Sequence, residues 1–136
     1  MPLPAGTFTV ARLLQGAGYA TACCGKWGMG MFDTTGSPLK LGFDHFFGTA
    51  CCPTTDWLYA YIEDDRVPTP PTGPLDVSRL PKHAYANDCR RGLVAPGFEH
   101  DQVDLVFLEK SKAWLTEQVR REPRRPFFLY HATQAV

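Results

Sequence analysis

The chain has 136 residues, 44% of them hydrophobic and 21% charged, with fourteen Lys and Arg balanced by fourteen Asp and Glu. That length suits one domain able to bury a core, and the composition is close to the soluble average. Zero net charge removes the electrostatic footprint of a nucleic-acid or anionic-membrane binder, and no apolar run is long enough to span a bilayer.

Met1 to Gly6 lacks the basic stretch and apolar run of a signal peptide. Residues 8 to 16 then read as a helix with Thr7 as N-cap and an apolar face of Val10, Leu13 and Leu14, ended by Gly16 and Gly18. Tyr19 to Cys24 is a short continuous apolar run, the pattern of a strand buried in a parallel sheet. It leads into Gly25-Lys26-Trp27-Gly28-Met29-Gly30. Three glycines allow a sharp turn and close approach to a ligand, and the lysine offers a compact cation with three donors. Loops at the carboxyl ends of strands in open α/β sheets are where ligands bind, which makes this junction a candidate anion site. A glycine-rich turn carrying a solvated lysine fits the same six residues.

Residues 31 to 55 hold Gly36, Pro38, Gly42, Gly48 and Pro53 without a sustained period, and read as a long loop pinned by the aromatics of residues 42 to 48. Trp57 to Ile62 reads as a strand, Glu63-Asp64-Asp65 as a solvated turn and Arg66 to Pro68 as a short return. Consecutive carboxylates point different ways, so Asp64 and Asp65 are not a divalent-metal site. Six prolines make residues 68 to 98 an irregular surface excursion. Asp101 to Arg121 reads as the clearest helix, with Leu105, Leu108, Leu115 and Val119 as its stripe, widened by Val106, Phe107 and Trp114. Its acidic first turn and basic last turn complement the helix dipole. Pro126 to Tyr130 follows as a second buried strand. Two helix-then-strand units argue for an α/β layer on a mostly parallel sheet.

The five cysteines form two adjacent pairs, Cys23-Cys24 and Cys51-Cys52, plus Cys89. Neither an odd count nor adjacent pairing describes a disulfide framework or a zinc motif, and Cys23 and Cys24 read as small buried apolar residues. His45, His83 and His100 fall in loops or at a helix end and read as solvated or structural.

Taken in order, residues 9 to 21, Gly25-Lys26-Trp27, Gly42-Phe43-Asp44-His45-Phe46-Phe47-Gly48 and Pro126-Phe127-Phe128-Leu129-Tyr130 resemble segments of the type I sulfatases, the arylsulfatase-like members of the alkaline phosphatase superfamily. The resemblance runs from about residue 7 to the last residue. It implies a partial alkaline-phosphatase-like α/β domain with long irregular loops, an internal piece of a catalytic domain that hydrolyses sulfate esters of small molecules or glycans. It also implies an exported or lysosomal address carried elsewhere.

In the family, the lysine matched by Lys26 contacts the substrate's sulfate, where a fixed cation stabilises charge that develops as the S–O bond breaks. Many members carry a histidine two residues later, where this chain has Gly28. The Thr54-Thr55-Asp56-Trp57 segment could line the substrate cleft, with Asp56 as a polar contact; a turn role for Asp56 fits as well. His131 ends the last strand near the position of a family histidine, and stands as a site-adjacent candidate beside a structural role. Family members use a formylglycine made from cysteine, and calcium. The cysteine-x-proline-x-arginine motif for the first and the acidic and asparagine ligands for the second have no match here. Cys51-Cys52-Pro53-Thr54-Thr55 imitates the motif but has Thr55 in place of arginine and lies on the wrong side of the lysine signature, so Cys51 reads as structural. The chain alone is therefore expected to be inactive. A phosphodiesterase or phosphonate hydrolase of the same superfamily, and a non-catalytic fragment, remain alternatives.

Overall fold

The computed structural model describes residues 2–51, 58–80, 89 and 91–134. Helix α1 (Val10–Gly16) leads into strand β1 (Ala20–Lys26), followed by β2 (His45–Thr49), β3 (Leu58–Tyr59), β4 (Ile62–Glu63), β5 (Gly73–Pro74) and β6 (Leu93–Val94). Helix α2 (Val103–Arg121) and strand β7 (Phe127–Ala132) complete the order. The main sheet runs β4-β2-β1-β7, and β3-β6-β5 form a small second sheet. β1 pairs in parallel with both β2 and β7, while β4 joins β2 antiparallel. The helix-strand units thus make the mostly parallel α/β sheet that the sequence implies.

β1 is the buried axis. Ala22, Cys23 and Cys24 have no exposed surface, and alternate side chains serve opposite faces. Cys23 packs with Ala11 of α1, Phe43 and Phe46, whereas Cys24 packs with Val103 and Phe107 of α2. One helix therefore covers each face. Burial pushes the Cys23 thiol well above the usual cysteine range and raises that of Cys24, where Ser111 and Lys110 partly offset the effect, so both read as apolar fillers.

Strand β2 corrects the reading of residues 31 to 55 as loop. His45–Thr49 is a nearly fully buried strand beside β1, in register Gly25 to Gly48 and Lys26 to Thr49. Two carboxylates hold it. Asp44 Oδ2 accepts from the Thr21 amide at 3.1 Å and its Oδ1 from Gln15 Nε2 at 2.7 Å, with Arg125 Nη2 3.7 Å away. Asp64, at φ 57°, accepts from the Phe46 amide at 3.0 Å and pairs with His45 Nδ1 at 2.9 Å. Asp64 is thus a bracket for β2 as well as a turn residue, and His45 has a structural partner. The expected strand over Trp57 to Ile62 is split into β3 and β4, which belong to different sheets, and Trp57 lies outside the described residues.

Both helices bury a different stripe from the one that their apolar residues suggest. α1 is capped by Thr9, whose side chain accepts from the Arg12 amide, and it buries Ala11 while Val10 and Leu13 are more than half exposed. In α2, Val103, Phe107 and Ser111 face the sheet, one turn apart each, while Leu105, Leu108 and Val119 are exposed. Asp104 remains in the first turn, and Arg120 and Arg121 in the last. β7 has a neighbour on one side only among the described residues. No helix of the described residues is long and apolar enough to cross a membrane.

Candidate functional site

The carboxyl ends of β1, β2 and β7 lie side by side, because the three strands are parallel and in register. Glycine makes that closeness possible. A Cβ on Gly48 would sit 1.8 Å from the Gly25 carbonyl oxygen, and one on Gly25, at φ 134°, 1.9 Å from the Ala132 carbonyl oxygen. The three chains emerge from this tight floor as residues 26–28, 49–51 and 132–134.

Lys26 is the last residue of β1 and is half-buried. The chain beyond it is fixed by main-chain bonds from the Trp27 amide to the Thr49 carbonyl at 3.1 Å and from the Gly28 amide to the Ala50 carbonyl at 2.8 Å. Trp27 anchors the following loop, donating Nε1 to the Gly36 carbonyl at 2.7 Å and packing edge-on against Phe43 and Phe46. Gly28, at φ 95°, turns the chain and leaves open space in which a Cβ would meet only Cys51 Sγ at 3.7 Å. Lys26 Nζ makes no hydrogen bond or ion pair among the described residues. Lys110 contrasts with it, lying 4.4 Å from the centre of the Phe47 ring and 3.8 Å from Glu63. The strand tip thus presents a cation with no anion set against it among the described residues.

His131 stands on the β7 side of this end, and its Nδ1 is 2.8 Å from Ser111 Oγ on the inner face of α2. This contact ties β7 to α2. Asp56 and Trp57 lie outside the described residues, as do Cys52 to Thr55 and His83. Among the described residues no three His, Cys, Asp or Glu side chains gather into a metal-binding group.

One participant was missed in the sequence. Gln134, just past β7, donates Nε2 to Thr49 Oγ1 at 2.9 Å, while its amide donates to Asp104 Oδ1 at 2.6 Å. It clasps the ends of β7 and β2 and the start of α2. A polar residue two places beyond a parallel strand is the only sequence signal for such a role.

An open, mostly parallel sheet with helices on both faces, and at the carboxyl tip of its central strand a cation unpaired among the described residues, is the form of an α/β domain with its ligand-binding edge at the strand ends. The Sulfatase family model matches residues 1–136. Mouse steryl-sulfatase is 48% identical over 59 residues, 40% of this chain and 9% of that protein. Mouse arylsulfatase J is 27% identical over 134 residues, 98% of this chain and 19% of that protein. A solved chain described with the metabolism of multiple glycosaminoglycans by Bacteroides thetaiotaomicron superposes with a TM-score of 0.69 at 19% identity, covering 98% of this chain and 35% of its own. The chain belongs to the sulfatase family and has the alkaline-phosphatase-like fold of its structural neighbours. It spans about a tenth to a fifth of the length of the curated relatives it matches.

Proposed function

We propose that this chain is part of the catalytic domain of an enzyme that hydrolyses sulfate esters, and that Lys26 contacts the sulfate. The observation that carries this reading is the position of Lys26: at the carboxyl tip of the most buried strand, half-buried, with no carboxylate paired to it among the described residues. A fixed ammonium there stabilises the negative charge that gathers on the sulfuryl oxygens and the leaving oxygen as the S–O bond breaks, and it needs no reorganisation at that moment. The close approach of Gly25 to β7 and the turn at Gly28, with Trp27 pinned to Gly36, hold the lysine's backbone.

Asp56 and Trp57 belong in this proposal as candidate contacts for the rest of the substrate. His131 joins it as a residue beside the cleft, through the nitrogen that Ser111 does not engage. The small-molecule or glycan sulfate esters suggested by the names of the relatives are its substrate class. In the complete enzyme, formylglycine and calcium would supply the nucleophile and its activation.

The test is Lys26→Ala and Lys26→Arg in the complete enzyme, assayed on an aryl sulfate. Loss of one preorganised donor to a developing oxyanion lowers kcat by roughly 10²–10³-fold. Unchanged kcat in Lys26→Ala refutes the assignment. A parallel assay on an aryl phosphate diester separates sulfate from phosphate chemistry.

A further inference from the structure

Behind the Thr49 and Cys51 backbone lies a cavity of about 40 Å³, lined by Thr49, Cys51, Tyr59, His100 and Gln134, with Phe98 and Val103 as its apolar wall. Two buried polar atoms of its lining, Gln134 Oε1 and His100 Nε2, have no hydrogen-bond partner among the described residues. The orientation of the Gln134 amide follows from its neighbour. Thr49 Oγ1 spends its proton on the Cys51 carbonyl at 2.9 Å, so it accepts from Gln134 Nε2, also at 2.9 Å. An inverted amide would set two acceptors against each other. Oε1 therefore stays an acceptor in need of a donor.

Leaving two such atoms unmet is costly, whereas a cavity with polar lining and more than about 10–15 Å³ holds a water molecule. We propose that this cavity is a binding site for ordered water, with one molecule donating to Gln134 Oε1 and hydrogen-bonding to His100 Nε2. Water has the right chemistry because it donates to the amide oxygen and either donates to or accepts from an imidazole nitrogen, whichever tautomer is present. The result is a continuous hydrogen-bonded line from the Cys51 carbonyl through Thr49, Gln134 and water to His100. It joins the segment facing Gly28 to the turn before α2. The site stands whether or not Lys26 meets a sulfate.

The direct measurement is a high-resolution crystal structure of the protein. A water within hydrogen-bond distance of both atoms is the expected result, and an empty cavity or one filled by a side chain overturns the proposal. A double-mutant cycle gives a second readout by urea unfolding. Gln134→Leu lowers the folding constant in both backgrounds by removing its bond to Thr49, and if water couples the two side chains the loss is about fivefold larger in the unmodified protein than in a His100→Phe background. Equal losses in both backgrounds refute the bridge. The crystallographic readout needs no variant and so survives a substitution that fails to fold.

Discussion

Asp44→Ala tests the bracket that seats β2 against β1. The Thr21 residue has no exposed surface, and its amide donates to Asp44 Oδ2 at 3.1 Å, so removing the carboxylate strands a buried donor. That loss costs about 1–3 kcal/mol. The Gln15 contact and the 3.7 Å pair with Arg125 are partly exposed, and solvent screening limits them to about 0–1 kcal/mol together. The sum is about 1–4 kcal/mol, which for a domain of this size lowers Tm by roughly 3–16 °C. Asp44→Asn keeps one acceptor for the Thr21 amide and loses the charge and the exposed acceptor facing Gln15, so it costs about 1 kcal/mol or less. Urea unfolding followed by circular dichroism measures both variants, and an unchanged m value confirms that stability alone has moved. If alanine is tolerated within about 0.5 kcal/mol, as at an ordinary surface site, or if asparagine is as harmful as alanine, the bracket is not what holds β2.

Four further outcomes follow from the same geometry. Gly48→Ala places a methyl 1.8 Å from the Gly25 carbonyl oxygen and is expected to abolish cooperative unfolding, whereas Gly97→Ala, with open space around its Cβ position, mainly meets the strain of φ 77° and leaves the fold intact. Phe107→Ala empties a side chain with no exposed surface beneath β1 and costs about 3–5 kcal/mol, read as a fall in the urea midpoint. Burial holds the His100 imidazolium below its usual 6.5, so stability is full above that pH and declines as pH falls from 6.5 through the lower folded-state value; His100→Phe flattens that decline in a pH series of unfolding curves. The purified 136-residue chain turns over no aryl sulfate, and measurable hydrolysis by it would show that the nucleophile lies within these residues.

The sequence revealed β1, β7 and α2 through continuous apolar runs and a long helical period, which need no partner to be visible. It concealed β2, because His45 to Thr49 is short, contains a glycine and is buried on both faces, so it shows neither alternation nor length. The glycine at position 48 looked like a loop signal, yet its physical role is to let two strands touch. The helix faces were misjudged for another reason: apolar residues mark every surface that could be covered. Which stripe the sheet takes depends on where Phe107 and Ala11 land. Lys26 was visible through its glycines, whereas Gln134 was not, since its role comes from Thr49 and Asp104, far away in the chain.

Among the described residues, the outer flank of β7 carries a row of unmatched amides and carbonyls, next to exposed Phe127 and Tyr130. Such a flank is a template for any extended peptide that drifts against it. At high concentration the isolated chain should self-associate edge to edge, and a lysine placed at Tyr130 should keep it dispersed.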